Sequence, residues 1–249
     1  MAKNYVKLET TGIKRALKGV KPYEAIAEYV WNGFDAEATQ ISLTLQRNEL
    51  GSVSAIRIDD NGYGINKDSL AIKFHPAFES NKVSSIGTDR KNSSIIHGRN
   101  GVGRFTFFVL AQHAIWTTVY EKDKKRYKYS IDINASFLNE YDDSDEYETI
   151  EPCGTSVALL NFDAKIFDET ELVDYLRLEF AWYLELNKAQ GYLILINGSP
   201  LDYMKLLEER EDCIYKYERE QADKIVRIDY NVTYCKWTEK LNEEYSKYY

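Results

Sequence analysis

The sequence predicts an α/β fold, a two-layer sandwich in which a mixed, mostly antiparallel sheet carries helices on one face. Apolar residues recur at helical spacing in residues 22–37 and 169–187. They alternate with polar residues in two predicted hairpins, 41–58 and 115–133, and an apolar run at 192–196 adds a buried strand. Hairpin strands pair antiparallel, and amphipathic helices bury their apolar stripes against such a sheet.

The helix predicted at 22–37 carries the first candidate site. At about 100° per residue, Glu28, Asn32 and Asp35 fall on one face of it. An ordinary solvated face would show the same stripe. Asn32 and the adjacent Gly33 argue against that interpretation, because both are poor helix formers and Gly costs about 1 kcal/mol relative to Ala. The stripe therefore indicates a polar site built on a helix.

Three glycine-containing segments follow in order. Residues 59–64 read Asp-Asp-Asn-Gly-Tyr-Gly, where glycines permit left-handed backbone and Asp60 can accept a hydrogen bond, although a plain turn has the same composition. Residues 97–105 place three glycines before an apolar helical run at 106–111, a pattern typical of phosphate binding at a helix N-terminus. The Lys-Ser/Thr pair of a P-loop does not follow. Gly-Thr-Ser at 154–156 leads into an apolar strand.

Together, and in this order, these segments resemble the motifs of the GHKL superfamily, which groups gyrase, the ninety-kilodalton heat-shock chaperone, histidine kinases and MutL around an ATP-binding module, the Bergerat fold. E-Y-V-W-N-G-F-D-A is similar to the family's E-x-x-x-N-x-x-D-A helix, and D-N-G-Y-G to its adenine box. G-R-N-G-V-G-R-F resembles the phosphate box, in the style of chaperone-like and MORC-like members, and G-T-S resembles the late Gly-Thr element. The likeness covers about residues 5–200.

The resemblance implies ATP and Mg²⁺ as ligands and a role for each matching residue. Glu28 is expected to be the catalytic general base, Asn32 the Mg²⁺ ligand, and Asp60 the acceptor for the adenine amine. The other residues expected to bind the nucleotide are Asp35, Gly62, Gly64, Gly98, Arg99, Asn100, Gly101, Val102, Gly103 and Thr155. Arg104 also flanks the phosphate box, as a phosphate contact or as a surface residue. The polar, serine-rich residues 66–97 are expected to form a mobile lid.

The implied function is Mg-ATP binding and hydrolysis to ADP and phosphate, driving lid closure and homodimerisation within a larger chaperone-like, DNA-processing or defence machine. A protein or DNA client would bind through a region beyond residue 249. Slow turnover is expected of these residues alone, because the family's γ-phosphate-sensing lysine would lie further along the chain. The alternative is a nucleotide-gated interaction module without hydrolysis, although such a module has no need of Glu28.

Composition narrows the remaining classes of ligand, partner and cellular location. A formal net charge of −8 argues against non-specific nucleic-acid affinity. The three cysteines and three histidines show no metal-ligand spacing, so free thiols in a reducing, cytoplasmic compartment are expected. No apolar run is long enough to span a membrane, and no signal peptide is apparent.

The sequence also predicts two domains. Residues 1–203 are expected to form the ATP-binding domain, and residues 204–249 the start of a following, transducer-like domain. Apolar and polar residues alternate over 226–235, typical of a half-buried strand, and no partner strand follows it. Its partners are therefore expected beyond the chain, the alternative being that it returns to the main sheet. The acidic run 139–151 is expected to be a solvated loop.

Overall fold

The computed structural model describes residues 9–74, 103–162, 167–221 and 224–238. The α-helices in these ranges are α1 (Thr10–Ala16), α2 (Pro22–Asp35), α3 (Leu70–Phe74) and α4 (Glu169–Leu186). The strands are β1 (Gln40–Arg47), β2 (Val53–Asp60), β3 (Ala111–Lys122), β4 (Lys125–Asn134), β5 (Asp142–Asp143), β6 (Tyr147–Thr149), β7 (Gly154–Phe162), β8 (Leu193–Ile196), β9 (Ser199–Pro200), β10 (Leu207–Gln221) and β11 (Lys224–Trp237).

Strands β1 to β9 form one sheet in the described part of the chain. Its order is β5-β4-β3-β7-β2-β1-β8-β9, and β6 pairs with β4. The pairings are antiparallel except for β1 with β8, which run parallel. Helix α4 connects β7 to β8. The predicted fold class is therefore confirmed, including both hairpins, which are β1–β2 and β3–β4.

Helices α2 and α4 pack side by side on this sheet and close the core. The indole of Trp31 lies 4.5 Å from the ring of Phe180, and Phe34 stacks on Tyr192 at 5.7 Å. Apolar side chains of β1 and β2 that face the helices are fully or nearly fully buried. Such aromatic contacts, about 0.5–1.5 kcal/mol each beyond their area, hold α2 against α4 and against the residue that precedes β8.

Sequence signals explain where both helices begin. Pro22 occupies the first turn of α2, where its missing N–H costs nothing, and the Glu24 carboxylate accepts from Lys21 N at 3.0 Å. Asp168 caps α4, accepting from Glu171 N at 3.0 Å. Helix α2 ends at Asp35, two residues before the predicted end.

The acidic segment 139–151 differs from its prediction as a solvated loop. It contains β5 and β6, which pair with the outer side of β4. The outer strand of a sheet has unpaired backbone groups, and these two short strands satisfy part of that edge. The segment is mostly exposed, as predicted, and what local composition did not indicate is its backbone pairing with β4.

Strand β11 also differs from its prediction. It pairs along its length with β10, which precedes it, in a separate two-stranded sheet. The alternative in which it returns to the main sheet is therefore wrong, and so is its description as half-buried, because its apolar side chains are 41–52% exposed. Strand β10 was missed because its sequence, L-E-E-R-E-D-C-I-Y-K-Y-E-R-E-Q, is mostly charged. The boundary after residue 203 stays a prediction.

Across the four described ranges, no helix combines the length and the apolar character needed to cross a membrane.

Gly64 and Gly51 offer a matched test of how the segment after β2 packs. Both have left-handed backbone, with φ of +74° and +80°. A Cβ at Gly64 would overlap the backbone carbonyl of Val119, whereas a Cβ at Gly51 meets nothing within 4 Å. Gly51→Ala should cost about 1 kcal/mol for the backbone alone, and Gly64→Ala about 3 kcal/mol or more.

Chemical denaturation of both variants measures this difference. Equal losses of unfolding free energy would contradict the close packing of this segment on β3.

Candidate functional site

After its first turn, helix α2 is buried almost all round, and the two exceptions there are polar. Between Ala25 and Asp35 every residue is buried except Glu28 and Asn32, which are partly exposed. A broad solvated face is therefore absent from this part of the helix. The two polar side chains are instead single points of partial exposure among buried neighbours along the helix.

Asp35 ends α2 and lies deeper than the other two members of the stripe. Its side chain is buried, at 9% exposure. Burial raises the pKa of the neighbouring Tyr183 phenol on α4 to about 12, and the Asp35 carboxylate adds to that rise. The structure thus separates the predicted stripe into an accessible pair, Glu28 and Asn32, and a buried carboxylate.

Gly33 sets the distance between α2 and the sheet. A Cβ at this position would overlap Ile41 Cδ1 and lie 3.1 Å from the Cβ of Asp60. Only glycine permits so close an approach, which explains a poor helix former in the middle of a buried helix. The end of β2, with Asp60, is therefore held directly beneath α2.

The Asp60 carboxylate joins two separate segments. Its Oδ1 accepts from Gly62 N at 2.8 Å and from Thr155 N at 3.2 Å. No donor in the described part of the chain reaches Oδ2. Burial raises the pKa of Asp60 to about 6, and the two backbone hydrogen bonds oppose that rise. The carboxylate is thus oriented by the protein, with one oxygen left for a ligand.

The Asn-Gly-Tyr-Gly segment after Asp60 is packed against the end of α2. Asn61 Oδ1 accepts from Thr39 N and Gln40 N, both at 2.9 Å, and Tyr63 N donates to Ala36 O at 3.0 Å. A Cβ at Gly62 would lie 2.5 Å from Ala36 O. Position 62 therefore requires glycine because of packing within the protein. The sequence had predicted a different reason, the close approach of the adenine base.

Thr118 is a site-building residue that the sequence did not reveal. Fully buried on β3, it shares a hydrogen bond with Thr155 Oγ1 at 3.1 Å and accepts from Ile65 N at 2.9 Å. It therefore links the adenine-box segment to the Gly-Thr element. Its partners come from strands far apart in sequence, so no local pattern distinguishes it from other strand threonines.

Glu28 lies over Gly103, the last glycine of G-x-x-G-x-G. A Cβ at position 103 would overlap Glu28 Oε2 and lie 3.4 Å from its Cδ. Residues 103–109 form a short 3-10 helix, where a helical run at 106–111 was predicted, and β3 begins at Ala111. The structure therefore brings the helix motif and the end of the phosphate-box motif together.

Hydrogen bonds from two sides hold this 3-10 segment on α2. Thr106 Oγ1 donates to Ala25 O at 3.2 Å or to Gly103 O at 2.7 Å, and the hydroxyl of the buried Tyr29 donates to Arg104 O at 2.9 Å. Burial raises the pKa of Tyr29, so this hydroxyl stays protonated as a donor. Neither Thr106 nor Tyr29 was expected from the motifs.

Arg104 is neither a simple surface residue nor a demonstrated phosphate contact. Its guanidinium lies 4.4 Å from the centre of the Phe105 ring, and its Nη2 donates to Phe74 O at 3.0 Å. Burial lowers the pKa of Arg104 to about 10, well above neutral pH, so the side chain stays charged. It anchors the end of α3 to the 3-10 segment.

Several predicted site residues fall outside the described ranges. These are Gly98, Arg99, Asn100, Gly101 and Val102, together with most of the predicted lid, of which the structure describes residues 66–74. In the part that is described, no group of three or more His, Cys, Asp or Glu is placed to hold a metal ion. Asn32 makes no side-chain hydrogen bond there, so its amide oxygen is available to a ligand.

Comparisons with known proteins relate the chain to a family of ATPases. A family model described as "Histidine kinase-, DNA gyrase B-, and HSP90-like ATPase" matches residues 20–158. The DNA mismatch repair protein MutL of Yersinia pestis (strain Pestoides F) is 39% identical over 66 residues, which is 26% of this chain and 10% of that protein. MutL of Yersinia pseudotuberculosis serotype O:1b (strain IP 31758) gives the same values. The chain thus matches about a tenth of the length of these curated relatives.

Asp60 is expected to make stability depend on pH. An aspartate in the unfolded chain titrates near 3.9, well below the value of about 6 in the folded protein. The folded state therefore binds the proton more tightly. Protonation of Asp60 therefore stabilises the folded state. This stabilisation is complete below about pH 4 and is lost as the pH rises through 6, which lowers the free energy of unfolding by up to about 3 kcal/mol.

Asp60→Asn provides the control, because its amide oxygen can still accept both backbone hydrogen bonds but does not titrate. Between pH 4 and pH 7 the wild type should lose unfolding free energy relative to the variant, because only the wild type has a carboxyl group that ionises at this position. A constant difference would show that burial does not perturb this carboxyl group.

Proposed function

The chain belongs to the histidine kinase-, DNA gyrase B- and HSP90-like ATPase family, and from that premise we propose that it binds Mg-ATP and hydrolyses it to ADP and phosphate. The observation that most directly supports hydrolysis is the Glu28 carboxylate lying against Gly103. A module that only bound nucleotide would gain nothing from a carboxylate at the glycines of a phosphate box. Its negative charge would instead repel the phosphates.

In this proposal Glu28 is the general base. The water that attacks the γ-phosphorus transfers a proton to Glu28 as the bond to the β–γ bridging oxygen breaks, and ADP leaves. A carboxylate held at the glycines of the phosphate box is placed to take that proton. The 3-10 segment bonded to Ala25 and Tyr29 keeps Gly103 in place beneath it.

Asn32 is the proposed ligand for Mg²⁺. It lies one turn after Glu28, is partly exposed, and offers an amide oxygen, a ligand type that suits this hard cation. The lack of a carboxylate cluster in the described ranges fits an ion held largely by phosphate oxygens and water. When bound, Mg²⁺ would neutralise charge developing on the phosphates.

Asp60 is the proposed adenine reader. Because Gly62 N and Thr155 N both donate to Oδ1, the other oxygen faces away from these donors and can accept from an exocyclic amine. Guanine carries a carbonyl oxygen at the equivalent position, which a carboxylate repels. The arrangement therefore favours adenine nucleotides over guanine nucleotides.

The larger cycle is also proposed. ATP binding would close a lid made of residues 66–97 and pair two copies of the ATP-binding domain, residues 1–203, and hydrolysis would reset them. The start of this segment is already anchored to β3 by an ion pair from Lys122 to Asp68 at 2.7 Å, and to β5 by one from Lys67 to Asp143 at 3.1 Å. Such an anchored base suits a hinged lid. A protein or DNA client would bind elsewhere in the complete machine.

Asp60→Asn tests the adenine assignment. Its oxygen should keep the two backbone donors, so its amino group turns toward the base and faces the adenine amine, donor against donor. ATP affinity should fall by about 1.5–3 kcal/mol, the value of a hydrogen bond to a charged group. The preference for ATP over GTP should narrow, because the amide can donate to the guanine carbonyl.

Isothermal titration calorimetry with ATP and GTP measures both effects. Asp59→Asn is the matched control, since Asp59 is paired with Arg57 at 2.9 Å and should not affect either affinity. Equal ATP and GTP affinities in the wild type would reject Asp60 as the adenine reader.

Glu28→Gln tests the catalytic assignment. The substitution preserves size and removes the base, so Mg-ATP binding should persist while turnover falls by about 10²–10⁴-fold. Asn32→Ala should instead weaken binding in a Mg²⁺-dependent manner. Phosphate release and calorimetry on the same samples separate the two effects.

A third variant, Glu24→Gln, controls for loss of a carboxylate on the same helix. If Glu28→Gln hydrolyses ATP at the wild-type rate, the general-base role is wrong. Normal ATP binding by a wild type with no turnover would favour the nucleotide-gated interaction module.

A further inference from the structure

Strands β10 and β11 form a long two-stranded ribbon separate from the main sheet. Residues directly opposite each other in an antiparallel pair lie on the same face, and Tyr215 pairs with Tyr230 and Tyr217 with Ile228. One face of the ribbon is therefore apolar. We call it the tyrosine face, and its members are Cys213, Tyr215, Tyr217, Val226, Ile228, Tyr230, Val232 and Tyr234.

The opposite face is polar. It carries Asp212, Lys216 and Glu218 from β10, opposite Thr233, Asp229 and Arg227 from β11. Ile214 is the exception, and at 71% exposure it is a large apolar side chain on the polar face. The segregation of the two faces resembles a sheet that covers a core on one side and meets water on the other.

In the described structure nothing covers the tyrosine face. Tyr215, Tyr217, Tyr230 and Tyr234 are 48–52% exposed, and Val226, Ile228 and Val232 are 41–48% exposed. An isolated two-stranded sheet is marginally stable in water, so an apolar face of this length calls for a partner. Contiguous apolar patches larger than a few hundred Å² mark interaction sites.

The size of this face matches a self-association interface. Four half-exposed tyrosines at roughly 100 Å² each, with the smaller side chains, give roughly 500–600 Å² per copy. Packing two copies face to face would remove roughly 1,000 Å² in total, which is at the lower limit for a specific interface.

The charges at the two ends specify how two copies would align. On the tyrosine face, exposed Glu211 lies at one end of the apolar stretch and exposed Arg219 at the other. At its centre the rings of Tyr215 and Tyr230 stack, with centroids 5.6 Å apart and planes at 21°. A two-fold axis through that ring pair, perpendicular to the strands, places each Arg219 opposite Glu211 of the second copy. The parallel alignment would instead place both Arg219 side chains at one end of the stack and both Glu211 side chains at the other, without opposite-charge pairs.

We propose that the tyrosine face is a homodimer interface, in which two ribbons stack antiparallel about the Tyr215–Tyr230 pair. This association needs no nucleotide and does not involve the candidate ATP site. It is therefore distinct from the ATP-dependent pairing of the proposed cycle, and either can fail without the other.

Sedimentation velocity of the 249-residue chain without nucleotide tests the proposal. A dimer is expected at concentrations up to about 100 μM, where an interface of this size is populated. Tyr215→Glu should raise the dissociation constant at least tenfold. Ile214→Glu is the matched control, because it adds the same charge at the next residue of the same strand but on the polar face, and it should leave the constant unchanged.

Charge reversal tests the alignment independently of any effect of Tyr215→Glu on folding. Arg219→Glu and Glu211→Arg should each weaken the dimer, and the double variant should recover it, with unchanged circular dichroism throughout. A wild-type monomer, or equal effects of Tyr215→Glu and Ile214→Glu in folded protein, would overturn the interface. Failure of the double variant to recover the dimer would overturn the antiparallel alignment.

Discussion

A buried carboxylate with few donors is the constraint on which the site depends. Asp60 ends a core strand beneath α2, and burial penalises its charge. Two backbone N–H groups offset part of that penalty, and to supply them the turn after β2 must fold back while β7 must lie beside β2. Gly33 and Gly62 permit the close approach that this requires. The same close packing therefore both buries the Asp60 carboxylate and supplies the donors that orient it.

Two separate pairs of motifs meet through two different physical mechanisms. The adenine-box Asp60 and the Gly-Thr element meet by strand pairing, since β7 inserts between β2 and β3 in the sheet. Glu28 and Gly103 meet by helix packing, since the 3-10 segment docks on α2 through Thr106 and Tyr29. Strand pairing positions Asp60 and Thr155, and side-chain hydrogen bonds position Glu28 and Gly103.

Local periodicity was sufficient to predict much of this fold. The α2 and α4 helices, both hairpins and β8 follow from spacing and turn residues within each segment, and the order of motifs indicated the family. What local patterns lack is information about partners. The role of Thr118 depends on β3 lying beside β7, and β5 and β6 exist because β4 has a free edge. Strand β10 is mostly charged, because only one of its faces is apolar and that face carries few apolar residues. In each case the deciding interaction is with another segment, which the pattern within the segment itself does not reveal.

The parallel pairing of β1 with β8 has a consequence for biosynthesis. Residues 40–43 pair with residues 193–196, so the open side of β1 is closed by a strand made long after it. The antiparallel strands β2, β3, β4 and β7 are all complete by Phe162. At about 5–20 residues per second, a ribosome takes a few seconds to extend the chain from there to Ile196. During that interval the emerging chain presents an unpaired strand edge, the kind of surface that other nascent chains can join. The α4 crossover therefore sets the time for which this protein is most exposed to misassembly.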